Sequence, residues 1–219
     1  MSTSVKICGL STPETMEAAL KAGADMVGLV FFEKSPRHVS LATAKELAAR
    51  ASRRAEVVAL TVDADDAALE AIVRALEPEY LQLHGRETPE RVDEIQRKFG
   101  VSAIKVLFVA EAADFALADA YKAADALLIE AKPPKGATRP GGNGVAFDWR
   151  LARGFSPRKP WMLSGGLDAG NVAQAIRLSL ARSVDVSSGV EGAPGVKDPA
   201  KICAFIDAAR AAFEAADAE

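Results

Sequence analysis

The sequence has only two cysteines, Cys8 and Cys203, standing near opposite ends of the chain. So sparse a set cannot form the disulfide framework of a small secreted fold. Histidine is equally scarce, with His38 and His84 and no Cys/His cluster around either. That argues against a structural zinc site, and no other metal or cofactor is expected. No apolar run approaches the roughly 20 residues that a membrane-spanning helix needs. Acids and bases are interspersed, with a net charge of −3, so neither nucleic acid nor a membrane surface is an expected partner. The opening stretch MSTSVKICGL enters a strand pattern at once and leaves no room for a signal peptide. The cytoplasm is therefore the expected compartment.

What the chain does have is a repeat of alternating patterns. A hydrophobic fraction of 49% in 219 residues allows an ample core. SVKICG, ADMVGLVFF, AEVVALTVD, YLQLHG, SAIKVLFV, DALLIEA, PWMLSGG and SVDVSSG each read as a buried strand; a helical run follows each, after DALLIEA only as a short helix near FDWRLAR beyond a long loop. Thr12-Pro13, Thr88-Pro89 and Asp198-Pro199 place a capping oxygen before a proline at a helix start. Gly23 and Gly100 follow helical runs as stop signals. Met16, Ala19, Leu20 and Gly23 share one helical stripe, as do Leu69, Ile72, Val73 and Leu76. Eight strand-helix units without a linker predict one α/β domain over residues 1–219, a (β/α)8 TIM barrel, with an open doubly wound sheet as the alternative.

A barrel builds its site from the C-terminal strand ends. Lys6 and Cys8 share a face of the first strand, and Arg37 lies in the loop after the second. The following strands end at Asp63, at Gln82 and His84, at Glu130 and at Asp185. The last two units carry a sharper signal. LSGGLDAGNV has Gly165 and Gly166, with Asp168 set to cap the next helix, and DVSSGVEGAPG has Ser187, Ser188 and Gly189. Glycines let backbone N–H groups approach an anion, and serines add donors. Together they predict a phosphate site and a phosphorylated small-molecule substrate. The loop after the sixth strand, KPPKGATRPGGNGVAFDW, is long and glycine-rich, and is expected to act as a lid. Cys203, on the closing helix, reads as packing.

KICGL, GLVFFEKSPRHVS, LQLHG, GGNGVAFDW, LSGGLDAGNV and DVSSGVE, taken in order, resemble the phosphoribosylanthranilate isomerase family of tryptophan biosynthesis. The resemblance runs from Lys6 to about Gly195. It implies a cofactor-free Amadori rearrangement of N-(5-phosphoribosyl)anthranilate to 1-(2-carboxyphenylamino)-1-deoxyribulose 5-phosphate. By the same resemblance, Cys8 is the general base and Arg37 binds the anthranilate carboxylate. Gly165, Gly166, Ser187, Ser188 and Gly189 lie in phosphate loops, and Asp185 sits near the sugar hydroxyls. The general acid of the family is an aspartate at the end of the sixth strand, where this chain has Glu130. Asp63 likewise stands where asparagine is more usual.

Two other readings remain open. A histidine-pathway phosphoribosyl sugar isomerase shares the phosphate loops but has aspartate in place of Cys8. A phosphoribosyl-binding barrel with impaired catalysis would account for Glu130. Composition leaves monomer and homodimer equally open.

Overall fold

The computed structural model describes residues 3–134, 136–137 and 140–218. Its eight parallel strands close into a barrel in sequence order. They are β1 (Ser4–Cys8), β2 (Met26–Phe31), β3 (Glu56–Thr61), β4 (Tyr80–Leu83), β5 (Ser102–Val109), β6 (Ala126–Ala131), β7 (Trp161–Leu163) and β8 (Ser183–Val186). β1 pairs with β8 in the register Lys6 to Asp185, which closes the ring and rules out the open sheet. Residues 135, 138 and 139 of the expected lid lie outside the described residues.

Alternation along each strand sorts the side chains into two cores. Ile7, Val27, Leu29, Ala59, Leu81, Leu127 and Ile129 face outward and pack with the helices. Met26, Val58, Ile104, Val106, Leu128 and Met162 fill the barrel interior. Burying each such large aliphatic side chain favours folding by about 1.5–3 kcal/mol. Above the interior layer, Cys8, Val30 and Leu60 form a small apolar floor at the C-terminal mouth.

Helices α1 (Pro13–Ala22), α2 (Leu41–Ala51), α3 (Asp66–Leu76) and α4 (Pro89–Phe99) follow the first four strands. The caps read from the sequence are in place. Thr12 accepts from the Thr15 N–H, Thr88 from that of Arg91, and Asp198 from those of Ala200 and Lys201. Gly23 and Gly100 end their helices at φ 86° and 64°, where a side chain would be strained. Met16, Ala19, Leu20, Leu69, Ile72 and Leu76 of the expected stripes are buried, whereas Val73 is half-buried and Gly23, the cap of α1, is exposed.

The second half of the barrel is less regular. After β5 the chain forms a 3-10 helix, Ala112–Asp119, in place of the expected helical run, and after β6 the short helix expected near FDWRLAR is present as a 3-10 turn, Trp149–Ala152. Helix α5 (Val172–Ser179) follows β7, and its N-cap is Asn171 rather than Asp168. Asp168 instead accepts from the Gly170 and Asn171 N–H groups, shaping the turn before the cap. A small hairpin, β9 (Glu191–Ala193) with β10 (Val196–Lys197), intervenes before the closing helix α6 (Pro199–Asp217). Cys203 is exposed, contrary to its reading as a packing residue. The buried stripe of α6 runs through Ile202, Phe205, Ile206, Ala209 and Phe213 and leaves position 203 on the solvent side.

Candidate active site

The C-terminal mouth holds a concave cleft, the usual place for a barrel to bind a small molecule. It is lined by Cys8, Arg37, Gln82, His84, Glu130 and Asp185, together with Gly165, Gly166, Ser187 and Ser188. Of the residues to which the resemblance gives a role, Gly189 does not line it, and neither do the rim residues Lys6 and Asp63. A Cβ at Gly189 would clash with the Leu167 carbonyl oxygen, so its missing side chain lets the β8 loop pack on the β7 loop.

Cys8 owes its position to a neighbour with no side chain. Gly28 stands beside it in the register of β1 and β2, and a Cβ there would lie 2.8 Å from the Cys8 Sγ. Lys6 is fully buried on the same face of β1, and its Nζ donates to Asp185 Oδ1 at 2.7 Å. Asp185 Oδ2 accepts from the Ser164 hydroxyl at 3.0 Å. Burial pushes the Cys8 thiol up, and Asp185 adds to the rise. Lys6 and Lys197 pull it back without reversing it. Burial works against the Lys6 charge, yet Asp185 and the Cys8 sulphur hold its pKa above the ordinary lysine value. Lys6 is thus a paired interior cation beside the thiol.

Glu130 faces inward from β6, two residues beyond the interior Leu128, and is buried. Its Oε1 accepts from the Gly142 N–H at 3.1 Å, and its Oε2 lies 3.1 Å from His84 Nε2. His84 Nε2 is buried and has no hydrogen-bond partner among the described residues. On the other side of the ring, Gln82 Nε2 stands 2.9 Å from His84 Nδ1. If the amide donates there, the ring proton sits on Nε2, facing Glu130. A Cβ at Gly141 would clash with that same nitrogen, so the loop after β6 is closely fitted over the His84–Glu130 pair.

Arg37 is buried, but its fork is already engaged. Nε and Nη2 donate to Glu191 Oε1 and Oε2 at 2.6 and 3.0 Å. Lys197 Nζ approaches Glu191 Oε1 at 2.9 Å and also reaches the Ser187 carbonyl and hydroxyl. Burial alone would raise the Glu191 pKa, but Arg37 and Lys197 overcome it and hold the carboxyl at about 2. Burial lowers the Lys197 pKa against the pull of Glu191.

Asp63 does not line the cleft. It adopts φ 48°, its Oδ1 accepts from the Arg86 N–H, and its own N–H donates to Glu87. Glu87 in turn pairs with buried Lys105 at 2.7 Å. This is a brace for the loops after β3 and β4, and asparagine or aspartate suits it because both tolerate the left-handed conformation. In the loop after β7, Gly165 and Gly166 have φ of 87° and 65°. Side chains there would also strike the backbone of residues 131, 145 and 146.

Among the described residues, no group of His, Cys, Asp and Glu is placed to hold a metal ion. Sequence reading missed Gly28, Ser164, Glu191 and Lys197. Gly28, Ser164 and Glu191 stood inside the motifs GLVFFEKSPRHVS, LSGGLDAGNV and DVSSGVE, whereas Lys197 lay outside them.

Comparison with known proteins agrees along nearly the whole chain. The family model for N-(5'-phosphoribosyl)anthranilate (PRA) isomerase matches residues 5–208. The N-(5'-phosphoribosyl)anthranilate isomerase of Rhodopseudomonas palustris strain BisA53 is 61% identical over 212 residues, covering 96% of this chain and 97% of its own. The solved phosphoribosyl anthranilate isomerase of Thermotoga maritima is similar with a TM-score of 0.85 and 32% identity, over 95% of this chain and 99% of its own. A phosphoribosyl anthranilate isomerase solved in complex with reduced 1-(o-carboxyphenylamino)-1-deoxyribulose 5-phosphate gives a TM-score of 0.81 at 30% identity, with the same coverage.

Proposed function

Since the chain belongs to the N-(5'-phosphoribosyl)anthranilate isomerase family, we propose that it performs the Amadori rearrangement with Glu130 as general acid and Cys8 as general base. Its class is that of an isomerase of tryptophan biosynthesis. The observation that carries the assignment of roles is that Cys8 and Glu130, from β1 and β6, line one cleft.

Glu130 gives its carboxyl proton to the furanose ring oxygen. The C1′–O bond breaks toward that oxygen while the nitrogen lone pair forms a C=N bond. The C2′ hydrogen is then acidic, and the Cys8 thiolate removes it. The electron pair left behind forms the C1′=C2′ bond of an enolamine. Tautomerisation to the ketone moves a proton from the enol oxygen to C1′ through exchange with solvent. Cys8 has gained one proton and Glu130 has lost one, and the same exchange resets both.

Gly165, Gly166, Ser187 and Ser188 hold the phosphate, and Arg37 meets the anthranilate carboxylate. Asp185 lies near the sugar hydroxyls and is fixed by Lys6 and Ser164. The substrate is a phosphoribosyl small molecule.

Anthranilate fluorescence falls as substrate is consumed and gives a direct assay. Cys8→Ser is expected to abolish turnover while still binding the reduced product analogue. Near-wild-type turnover in that variant would remove Cys8 from the mechanism.

A further inference from the structure

We infer that Glu191 is a positioning residue for the reaction, which fixes Arg37 and thereby the carboxylate end of the substrate. The inference rests on Arg37 as the partner of the anthranilate carboxylate.

A carboxylate beside an arginine that must attract another carboxylate looks counterproductive. An isolated Arg37–Glu191 pair would be neutral and would offer the substrate little. Lys197 changes the balance. Two buried cations share one anion, with Arg37 Nε 2.6 Å and Lys197 Nζ 2.9 Å from the same Glu191 oxygen. With both bases charged, the cluster keeps one net positive charge beside the Ser187 loop. Glu191, held near pKa 2, stays ionised throughout any enzymatic pH range.

The geometry is also selective. A bidentate pair holds a guanidinium in one plane, so the carboxylate sets orientation as well as charge. Nε and Nη2 are engaged, and among the described residues Nη1 has no acceptor. A side chain on Gly142 would clash with this Nη1, and one on Gly9 would lie 2.7 Å from the Arg37 Cδ. Two glycines with positive φ therefore confine the arginine while Glu191 fixes its head. The carboxylate is itself held by the turn of the β9–β10 hairpin, where the Gly195 N–H donates to its Oε2 at 3.1 Å. The hairpin thus has a task in this site, as a rigid mount for Glu191.

The test is a double-mutant cycle of Glu191→Gln and Arg37→Ala, read as kcat, KM and the dissociation constant of the reduced product analogue. Glu191→Gln is expected to weaken analogue binding and raise KM on the order of 10- to 100-fold, with kcat changed far less. In the Arg37→Ala background the same substitution should cost under about twofold, because no guanidinium is left to position. Equal losses in both backgrounds would overturn the inference and leave Arg37 its role. If Arg37→Ala alone binds and turns over normally, the Arg37 assignment falls and the inference with it. Should Glu191→Gln fail to fold, Glu191→Asp enters the same cycle, since it keeps the charge and shortens the reach. A loss that persists unchanged without Arg37 is again the contrary result.

Discussion

Lys6 Nζ and Asp185 Oδ1 lie 2.7 Å apart, both buried, on neighbouring strands and beside Cys8. The pair places a cation and an anion within reach of a thiol whose assigned work is to accept a proton. Lys6 draws the thiol toward its ionised form, whereas burial and Asp185 oppose it. The balance leaves the Cys8 thiol raised above its ordinary range.

The pH dependence follows. A base must be deprotonated, so kcat/KM should rise with pH until the thiol is ionised, at a point above the ordinary cysteine range. Replacing Lys6 by Met removes an attraction for the thiolate and leaves Asp185 unneutralised. Both changes move the limb to higher pH. Below that limb, each unit of displacement costs about tenfold in kcat/KM. A pH–rate profile of Lys6→Met that keeps the wild-type limb would show that Lys6 is only a structural ion pair.

Gly28 makes a second prediction. An added Cβ would lie 2.8 Å from the Cys8 Sγ, and a β-strand beside the barrel interior cannot retreat freely. Gly28→Ala should destabilise the fold by about 1–3 kcal/mol through overpacking. It should also cost on the order of 100-fold in turnover, as expected when a reacting atom shifts by about 1 Å. Urea denaturation and the fluorescence assay read the two effects separately. Unaltered turnover would mean that the sulphur position is not set by this contact.

Asp63 is expected to behave in the opposite way. It braces two loops through the Arg86 and Glu87 contacts and does not line the cleft. Asp63→Ala should lower stability by about 1–2 kcal/mol, with kcat preserved. Asp63→Asn, which can accept the same bond and tolerate φ 48°, should restore most of that loss. A large fall in kcat for a folded Asp63→Asn variant would place Asp63 in the chemistry after all.

The barrel was legible because its instructions are local. The Thr12, Thr88 and Asp198 caps and the alternation in β6 each act within a few residues, and sequence reading reaches that far. Glu130 could be set facing the mouth for the same reason, as an inward position following Leu128. The partnership of Arg37 with Glu191 was not legible, because 154 residues separate them and only barrel closure joins β2 to the hairpin after β8. Gly28 was equally hidden, since its function is an empty volume seen only from β1. The fifth unit misled because an alanine-rich stretch reads as α-helix by propensity, while the structure coils it as a 3-10 helix under a capping box from Glu111 and Asp114. Cys203 misled for want of register, one position off the buried stripe of α6.

The central claim is that two groups, Cys8 and Glu130, divide the proton transfers across one sugar. Glu130 tests it hardest, since the resemblance implies an aspartate there and the glutamate is held by Gly142 on one oxygen and flanked by His84 on the other. The decisive measurement is turnover of Glu130→Gln by anthranilate fluorescence, with binding of the reduced product analogue measured on the same preparation. The glutamine keeps the shape and loses the acidic proton. Turnover should fall by 100-fold or more, on the order expected for loss of a general acid, while the analogue still binds. Wild-type turnover in Glu130→Gln would contradict the account, because the ring-opening proton would then have another source.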